Sequence, residues 1–369
     1  MSQQTPMEGI RMSKEYPKIY YVNSFLESCY YVRCLVPLQA GGWDGDRTSL
    51  RTDRLQPEQQ AKAVLDADIV VFHRPNDWRS LKIAKELKAQ GKKIVADNDD
   101  TYKHLDGKNL EKALQKVDKG LDEFIKFADL VTTTTEVLAK EYRELNDNVV
   151  ILPNCVDPDV WPEPLKNETD KVRLGFIGSV ASNSDYESMR DTLKQLSERD
   201  DVQIVVLGLP PQDPDKQDTE AVIVRDMYKK DYDFWQSLNI DWQPFVPVAD
   251  YIDTLNSLRL DIMVIPRKDD YFNKCKSNLK FLEASMLKLP CVVQGFVDGL
   301  SPYQVNPRDK EFCDIVLDNT KWMDALEPLI QSKELREEKG RKAYDYVLET
   351  YDINKNIHLW ETTYRNLLS

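Results

Sequence analysis

One short stretch carries much of the chemistry this sequence can offer. Residues 261 to 295, DIMVIPRKDDYFNKCKSNLKFLEASMLKLPCVVQG, run from an apolar strand pattern through a polar loop into a helix that opens at Lys276-Ser277-Asn278. A helix N-terminus presents N–H groups without intrahelical partners and a positive partial charge, which suits a diphosphate. Lys276 adds a full charge at that spot, with Arg267 and Lys268 just upstream. Glu283 falls about two turns in, where its carboxylate can accept from a vicinal diol such as a ribose. Leu279 follows the opening residues, on a helix whose apolar positions are spread around several faces. In the first half, His73 closes the apolar run ADIVVFHRP, and Asp99 and Asp100 close KKIVADNDD. In the second half, KVRLGFIGS ends in a glycine turn at Gly178-Ser179.

These residues need elements to position them, and the chain supplies an alternating rhythm. Residues 18–25, 67–75, 92–100, 128–136 and 148–154 predict strands, with helices over 79–91 and 136–146. The 79–91 stretch has apolar residues at Leu81, Ile83, Ala84 and Leu87 and stops at Gly91, which is helical spacing with a glycine stop. The second half continues with strands over 171–179, 202–208, 260–267 and 290–295. Helices are predicted over 186–199, 250–259 and 277–289, and a polar, proline-rich insertion over 209–219. Strands alternating with helices predict parallel sheets covered on both faces. The expected fold class is α/β, two Rossmann-like domains facing across a cleft. Residues 1–16 are expected to be a disordered leader, 17–160 an N-terminal domain and 161–351 a C-terminal domain. The C-terminal helix 352–369 is expected to pack back on the first domain. In open α/β sheets ligands bind at the carboxyl ends of the strands, so His73, Asp99 and Asp100 are expected to face the cleft.

Composition narrows the classes. The 369 residues are 41% hydrophobic and 31% charged, the balance of a folded globular chain. No run reaches the roughly 18 apolar residues of a membrane span, and the polar start has no apolar core of a secretory signal, so a cytoplasmic protein is expected. The six cysteines form no CxxC pair, which predicts free thiols in a reducing compartment. Three histidines are too few for a histidine-rich metal site. The net charge of −13 counts against a sequence-independent nucleic-acid binder and against attachment to anionic lipid.

The 261–295 segment resembles the donor-binding segment of the GT-B retaining glycosyltransferases, the large family 4/family 1-like group that includes sucrose and glycogen synthases. FNKCKSNLKFLEASMLKLPCVV looks like bacterial and phage members with a KSNLKFLE-type motif. PNCVDPDVW (153–161) resembles the family's PNGVD linker motif, and ADLVTTTTEVLAKEY its D-hydrophobic-S/T-E-x-L-A segment. VRLGFIGS and VQIVVLG match the first two strands of its nucleotide domain. The order holds over about residues 125 to 295.

The resemblance implies transfer of a sugar from a nucleotide-diphosphate sugar, a UDP-sugar ahead of a GDP-sugar, to a hydroxyl of a glycan or other acceptor. It implies retention and no cofactor or metal. It places Gly178, Ser179, Arg267, Lys276, Ser277, Asn278, Leu279 and Glu283 at the donor, and Lys276, Asp99, Asp100 and His73 at the chemistry. Glu283 matches the second glutamate of an E-x7-E motif, whose first position here is Cys275. Asn278 stands where the family has a glycine. Ser179 and Ser184 stand where an arginine and a lysine are common.

Other readings stay beside this one. Asp99 and Asp100 could cap a helix, and His73 could be a core histidine. Asp97-x-Asp99 has the form of a DxD metal site, which belongs to a fold with a single nucleotide domain. A DNA-base glycosyltransferase would keep the chemistry with nucleic acid as acceptor, and a nucleotide-sugar-binding protein would keep the fold without turnover.

Overall fold

The computed structural model describes residues 17–22, 28–46, 57–103, 120–178, 180–208, 229 and 231–369. The predicted leader, the 209–219 insertion and Ser179 lie outside them. Two sheets of six strands each organise the chain, and every pairing is parallel.

The first sheet has the order β2-β1-β3-β4-β5-β6. Its strands are β1 (Ile19–Val22), β2 (Asp44–Gly45), β3 (Ile69–His73), β4 (Lys93–Asp97), β5 (Leu130–Thr133) and β6 (Val149–Ile151). The second has the order β12-β11-β10-β7-β8-β9. It comprises β7 (Val172–Ile177), β8 (Val202–Leu207), β9 (Ile240–Gln243), β10 (Ile262–Ile265), β11 (Cys291–Gln294) and β12 (Cys313–Val316). The second order is that of a dinucleotide-binding sheet, and it reverses direction between β7 and β10, where a crevice opens at the strand ends.

Burial on both faces explains the unbroken apolar runs. All five residues of β3 and all four of β10 are buried. Each sheet is flanked by two apolar clusters. The helix Ile353–Leu368 sends Ile353, Trp360 and Tyr364 into a cluster of the first sheet, and Tyr364 meets Tyr21 there, hydroxyl to hydroxyl at 2.9 Å. The chain crosses back at Tyr351-Asp352, where a parallel bridge joins Asp352 to Val156 of the linker.

Two elements depart from the sequence expectation. The predicted 186–199 helix begins as a 3-10 segment, Val180–Met189, and becomes α-helical only over Arg190–Ser197. Asp185 in that segment is buried and accepts from Lys268 N, Arg267 Nη1 and Asn273 Nδ2, which ties the turn to the loop after β10. The loop after β10 also contains a short helix, Tyr271–Cys275, capped by Asp270.

The long helix Lys333–Thr350 packs on the end of the Leu279–Met286 helix through Gly340. A Cβ there would stand 1.8 Å from the Lys288 carbonyl oxygen. Gly340→Ala is therefore expected to cost about 1–3 kcal/mol, read as a lower thermal midpoint. An unchanged midpoint would refute this close contact.

Candidate active site

The first domain's side of the cleft is built around one buried carboxylate. Asp97 ends β4 and is 3% exposed. Arg33 grips it with both branches, Nε to Oδ1 at 3.1 Å and Nη2 to Oδ2 at 2.6 Å. Thr132 Oγ1 donates to Oδ2 at 2.7 Å, and His73 Nδ1 lies 3.1 Å from Oδ1. Burial alone would raise the Asp97 pKa; the Arg33 charge overrides it and holds the group below the usual carboxylate range. An ionised carboxylate only accepts, so His73 carries its proton on Nδ1. Its Nε2 is buried with no hydrogen-bond partner.

Arg33 lies in a π-helical turn, Tyr31–Leu35, followed by the helix Val36–Gly41 with Pro37 near its start. Proline has no N–H to return to the Arg33 carbonyl, so the regular ladder is interrupted there. The guanidinium also donates to Leu152 O at 2.6 Å and to Asn154 Oδ1 at 3.2 Å. The sequence signal for Arg33 is a lone charge inside the apolar run YYVRCLVPL.

Asp99 and Asp100 lie beyond the end of β4. Arg74 Nε donates to Asp99 at 2.7 Å, and Arg74 Nη2 reaches Asp100 at 3.4 Å. Burial would raise the Asp99 pKa, but Arg74 drives it far below the usual range. Arg74 has φ +48, a left-handed backbone that a branchless residue would hold more easily. Asp100 Oδ2 also accepts from Lys276 Nζ at 2.7 Å, across the cleft. His73, Asp99, Asp100 and Lys276 thus come together.

On the second domain's side, Lys276 lies over the Phe272 ring, 4.0 Å from its centroid. Ser277 Oγ accepts from Asn154 Nδ2 at 2.8 Å. The helix itself is Leu279–Met286, with Asn278 at its cap position. Glu283 is 7% exposed and accepts on Oε2 from Tyr251 OH at 2.8 Å and Lys280 Nζ at 2.9 Å. The space beside Glu283, walled by Tyr31, Val36 and Trp161, is only about 30 Å³. That leaves little room beside the carboxylate.

Arg267 stands apart from Lys276. Its Nη1 donates to Asp185 at 3.1 Å, and it borders a cavity of about 320 Å³ at the ends of β10, β11 and β12, with Ser184, Glu187 and Gln294. Gly178 follows β7 and donates its N–H to Leu207 O at 3.1 Å. Its carbonyl oxygen would be 2.3 Å from a Cβ on Gly208, which has φ +80.

Cys275, where the resemblance has a glutamate, is fully buried in a cluster of the first domain. Thr135 Oγ1 donates to its carbonyl at 3.1 Å, and Tyr271 OH donates to Glu141 at 3.0 Å. Burial pushes the Cys275 thiol up to about 12, so it is uncharged at neutral pH. Position 275 therefore serves as an interdomain contact.

A metal has poor prospects at the Asp97 carboxylate. Cys34, His73 and Asp97 each place a ligand atom within 4.8 Å of the others. Asp97, however, is already engaged by a buried guanidinium, and burial pushes the Cys34 thiol well up. No helix among the described residues is long and apolar enough to cross a membrane.

Asp97→Asn leaves Arg33 buried without its counter-charge, and is expected to cost about 3–5 kcal/mol in chemical denaturation. Because the folded pKa is depressed, the Asp97 contribution holds above the ordinary carboxylate range. It is lost as pH falls through the folded value. A variant as stable as wild type would show that Asp97 does not neutralise Arg33.

No protein-family model matches the chain, and no curated protein matches it in sequence. Solved structures do match. TarM aligns at 14% identity and TM-score 0.55, covering 80% of this chain and 54% of TarM. A mutant of S. aureus TarM in complex with fondaparinux, α-GlcNAc-glycerol and UDP aligns at 14% and 0.54, covering 81% and 55%. Apo OtsA aligns at 14% and 0.51, covering 84% and 78%. The chain thus spans about half the length of TarM. Identity this low speaks for fold and not for activity. Two six-stranded parallel sheets, matched across both domains by these structures, give the chain the GT-B architecture of paired Rossmann-like domains.

Proposed function

We propose that this chain is a glycosyltransferase that moves a sugar from a nucleotide-diphosphate sugar to an acceptor hydroxyl, with retention of configuration. The observation that carries the reading is the stretch from Lys276 to Glu283. It brings a lysine, a helix N-terminus and a buried carboxylate together at the seam between the two sheets. The UDP complex of the TarM mutant supports a UDP-sugar as donor.

In this reading, the leaving diphosphate develops charge as the anomeric carbon becomes oxocarbenium-like. Lys276 and the first-turn N–H groups stabilise that charge without a metal. Glu283 holds the ribose. The first domain's His73 and Asp100 line the acceptor side, where an unpartnered imidazole nitrogen and a carboxylate can order a hydroxyl. A glycan or similar hydroxyl compound is the acceptor; the net charge of −13 weighs against nucleic acid. One observation favours a binding-only protein of the same fold. Cys275 withholds a carboxylate from the donor side and packs into the other domain.

Calorimetric titration with UDP and GDP, with and without Mg²⁺, tests the donor site. Lys276→Ala is expected to weaken binding about tenfold to a hundredfold, the range of a hydrogen bond to a charged group. Glu283→Ala should weaken it similarly, both with the wild-type thermal midpoint roughly kept. Unchanged affinity in both variants sinks the site. Sugar release or transfer from the preferred donor then separates an enzyme from a binding protein.

Asp100 competes with a diphosphate for Lys276. Asp100→Asn should therefore bind the nucleoside diphosphate several-fold more tightly than wild type, while turnover falls. Weaker binding in that variant would mean that Asp100 supports the donor instead of competing with it.

A further inference from the structure

The cavity of about 320 Å³ at the ends of β10, β11 and β12 has no part in the donor reading, since neither Lys276 nor Glu283 lines it. It lies at the carboxyl ends of parallel strands, the edge of an α/β sheet at which ligands bind. Its size falls at the small end of ligand pockets, which start at about 300 Å³. Two of its wall residues have hydrogen-bonding capacity that the fold leaves unused. Gln294, the last residue of β11, is 4% exposed. Its Nε2 donates to Val316 O at 3.0 Å and to Gly295 O at 3.2 Å, while its Oε1 is buried without a partner. Ser188, in the 3-10 segment after β7, has a buried hydroxyl in the same condition. Buried polar groups are nearly always satisfied, so two such groups on one cavity point to a ligand that hydrogen-bonds.

The charges of the wall narrow the class of ligand. Arg267 and Lys268 are matched in number by Glu187 and Asp269. Arg267 is held by Asp185 at 3.1 Å, and Asp269 by Lys274 at 2.9 Å. A phosphate would meet the two carboxylates and a metal ion the two cations, so a neutral ligand fits best. No aromatic ring lines the cavity among the described residues, and a nucleobase would find nothing to stack on. The rim is aliphatic and open to solvent, with Val297 88% exposed and Leu317 54% exposed. A sugar combines the two characters this wall asks for. Its hydroxyls both donate and accept, which suits an amide oxygen and a serine hydroxyl at once. Its C–H faces suit an aliphatic rim.

We propose that this cavity binds one or two neutral sugar units of a glycan, at a site separate from the donor stretch Lys276 to Glu283. Gln294 Oε1 accepts from one sugar hydroxyl, Ser188 Oγ bonds a second, and Val297 and Leu317 cover a C–H face. The binding follows from the chemistry of the wall itself. Only its use as a subsite for the acceptor rests on the transferase reading given above.

The test is saturation-transfer NMR on the full chain with glucose, galactose, N-acetylglucosamine, maltose and lactose, without nucleotide. At least one of these sugars is expected to bind saturably. Gln294→Met keeps the length of the side chain and removes the acceptor. It should weaken that sugar about threefold to tenfold, the scale of one neutral hydrogen bond. Val297→Asp changes the rim at an exposed position, so it tests the site even if Gln294→Met fails to fold, and it should weaken the same sugar. UDP added in excess should leave the sugar bound. Absence of saturable binding by all of these sugars, or wild-type affinity in Val297→Asp, overturns the site. Displacement of the sugar by UDP overturns its separation from the donor. Sugar binding in a chain that binds no UDP overturns the donor reading and leaves this site standing.

Discussion

The cleft depends on a single buried charge pair. Arg33 and Asp97 are 1% and 3% exposed, and two ions so far from water must satisfy each other closely. Their bonds span the first domain. Asp97 joins β4 to β5 through Thr132 and to β3 through His73. Arg33 joins the turn after β1 to Leu152 and Asn154 of the linker. Asn154 then touches Ser277, just before the second domain's Leu279–Met286 helix. A displacement of Arg33 would therefore be felt on both walls. The imidazole orientation and the approach of the helix mouth share one origin.

Charge balance around this pair explains why the acidic strand end is tolerated. Asp97, Asp99 and Asp100 face Arg33, Arg74 and Lys276. Asp97 and Asp99 are matched by guanidinium groups of their own domain, whose planar forks suit two carboxylate oxygens. Asp100 is matched in part from the other domain, through the compact ammonium of Lys276. Asp97 consequently has little of its lone-pair capacity left for a cation, because Arg33, His73 and Thr132 already occupy it, while Asp99 is held by Arg74 alone among the described residues. The carboxylates at 97 and 99 are structural counter-ions, and the one at 100 is the one whose partner can leave.

The legible part of the sequence was the part governed by local pattern. β3, β4, β7, β8, β10 and β11 are apolar runs bounded by breakers, and a buried parallel sheet demands such runs. The helices at Trp78–Ala89 and Leu279–Met286 carry helical spacing. Three of the four edge strands, β2, β9 and β12, carry no such run, whereas the edge strand β6 does, in NVVILPN. β2 is two residues long, and β9 has no fully buried residue. Within the site, Lys276, Glu283 and Asp100 stood out by type and position. Arg33, Arg74 and Tyr251 did not, because their partners are 64, 25 and 32 residues away in sequence. Pairing at that range is decided by the fold. The 186–199 stretch has a helical pattern, but the buried Asp185 bonds to the loop after β10 and the helix starts late.

The cations of the second domain are already paired in this state, and that bears on how the site works. A cation held beside low-dielectric walls needs a counter-charge before any substrate arrives. Arg267 has Asp185, buried in its own domain, and Lys276 has Asp100 on the facing domain. The first pair can persist through domain motion, since both members move together. The second cannot. In the proposed reading, a nucleotide entering beside Glu283, where the space is about 30 Å³, draws the two walls apart. Parting them breaks the Lys276–Asp100 bond and leaves the ammonium without its carboxylate just as a diphosphate arrives. The exchange replaces one negative partner by another, so the lysine never stays uncompensated. In the proposed reading, the Lys276–Asp100 pair that joins the two walls is the contact that donor entry exchanges.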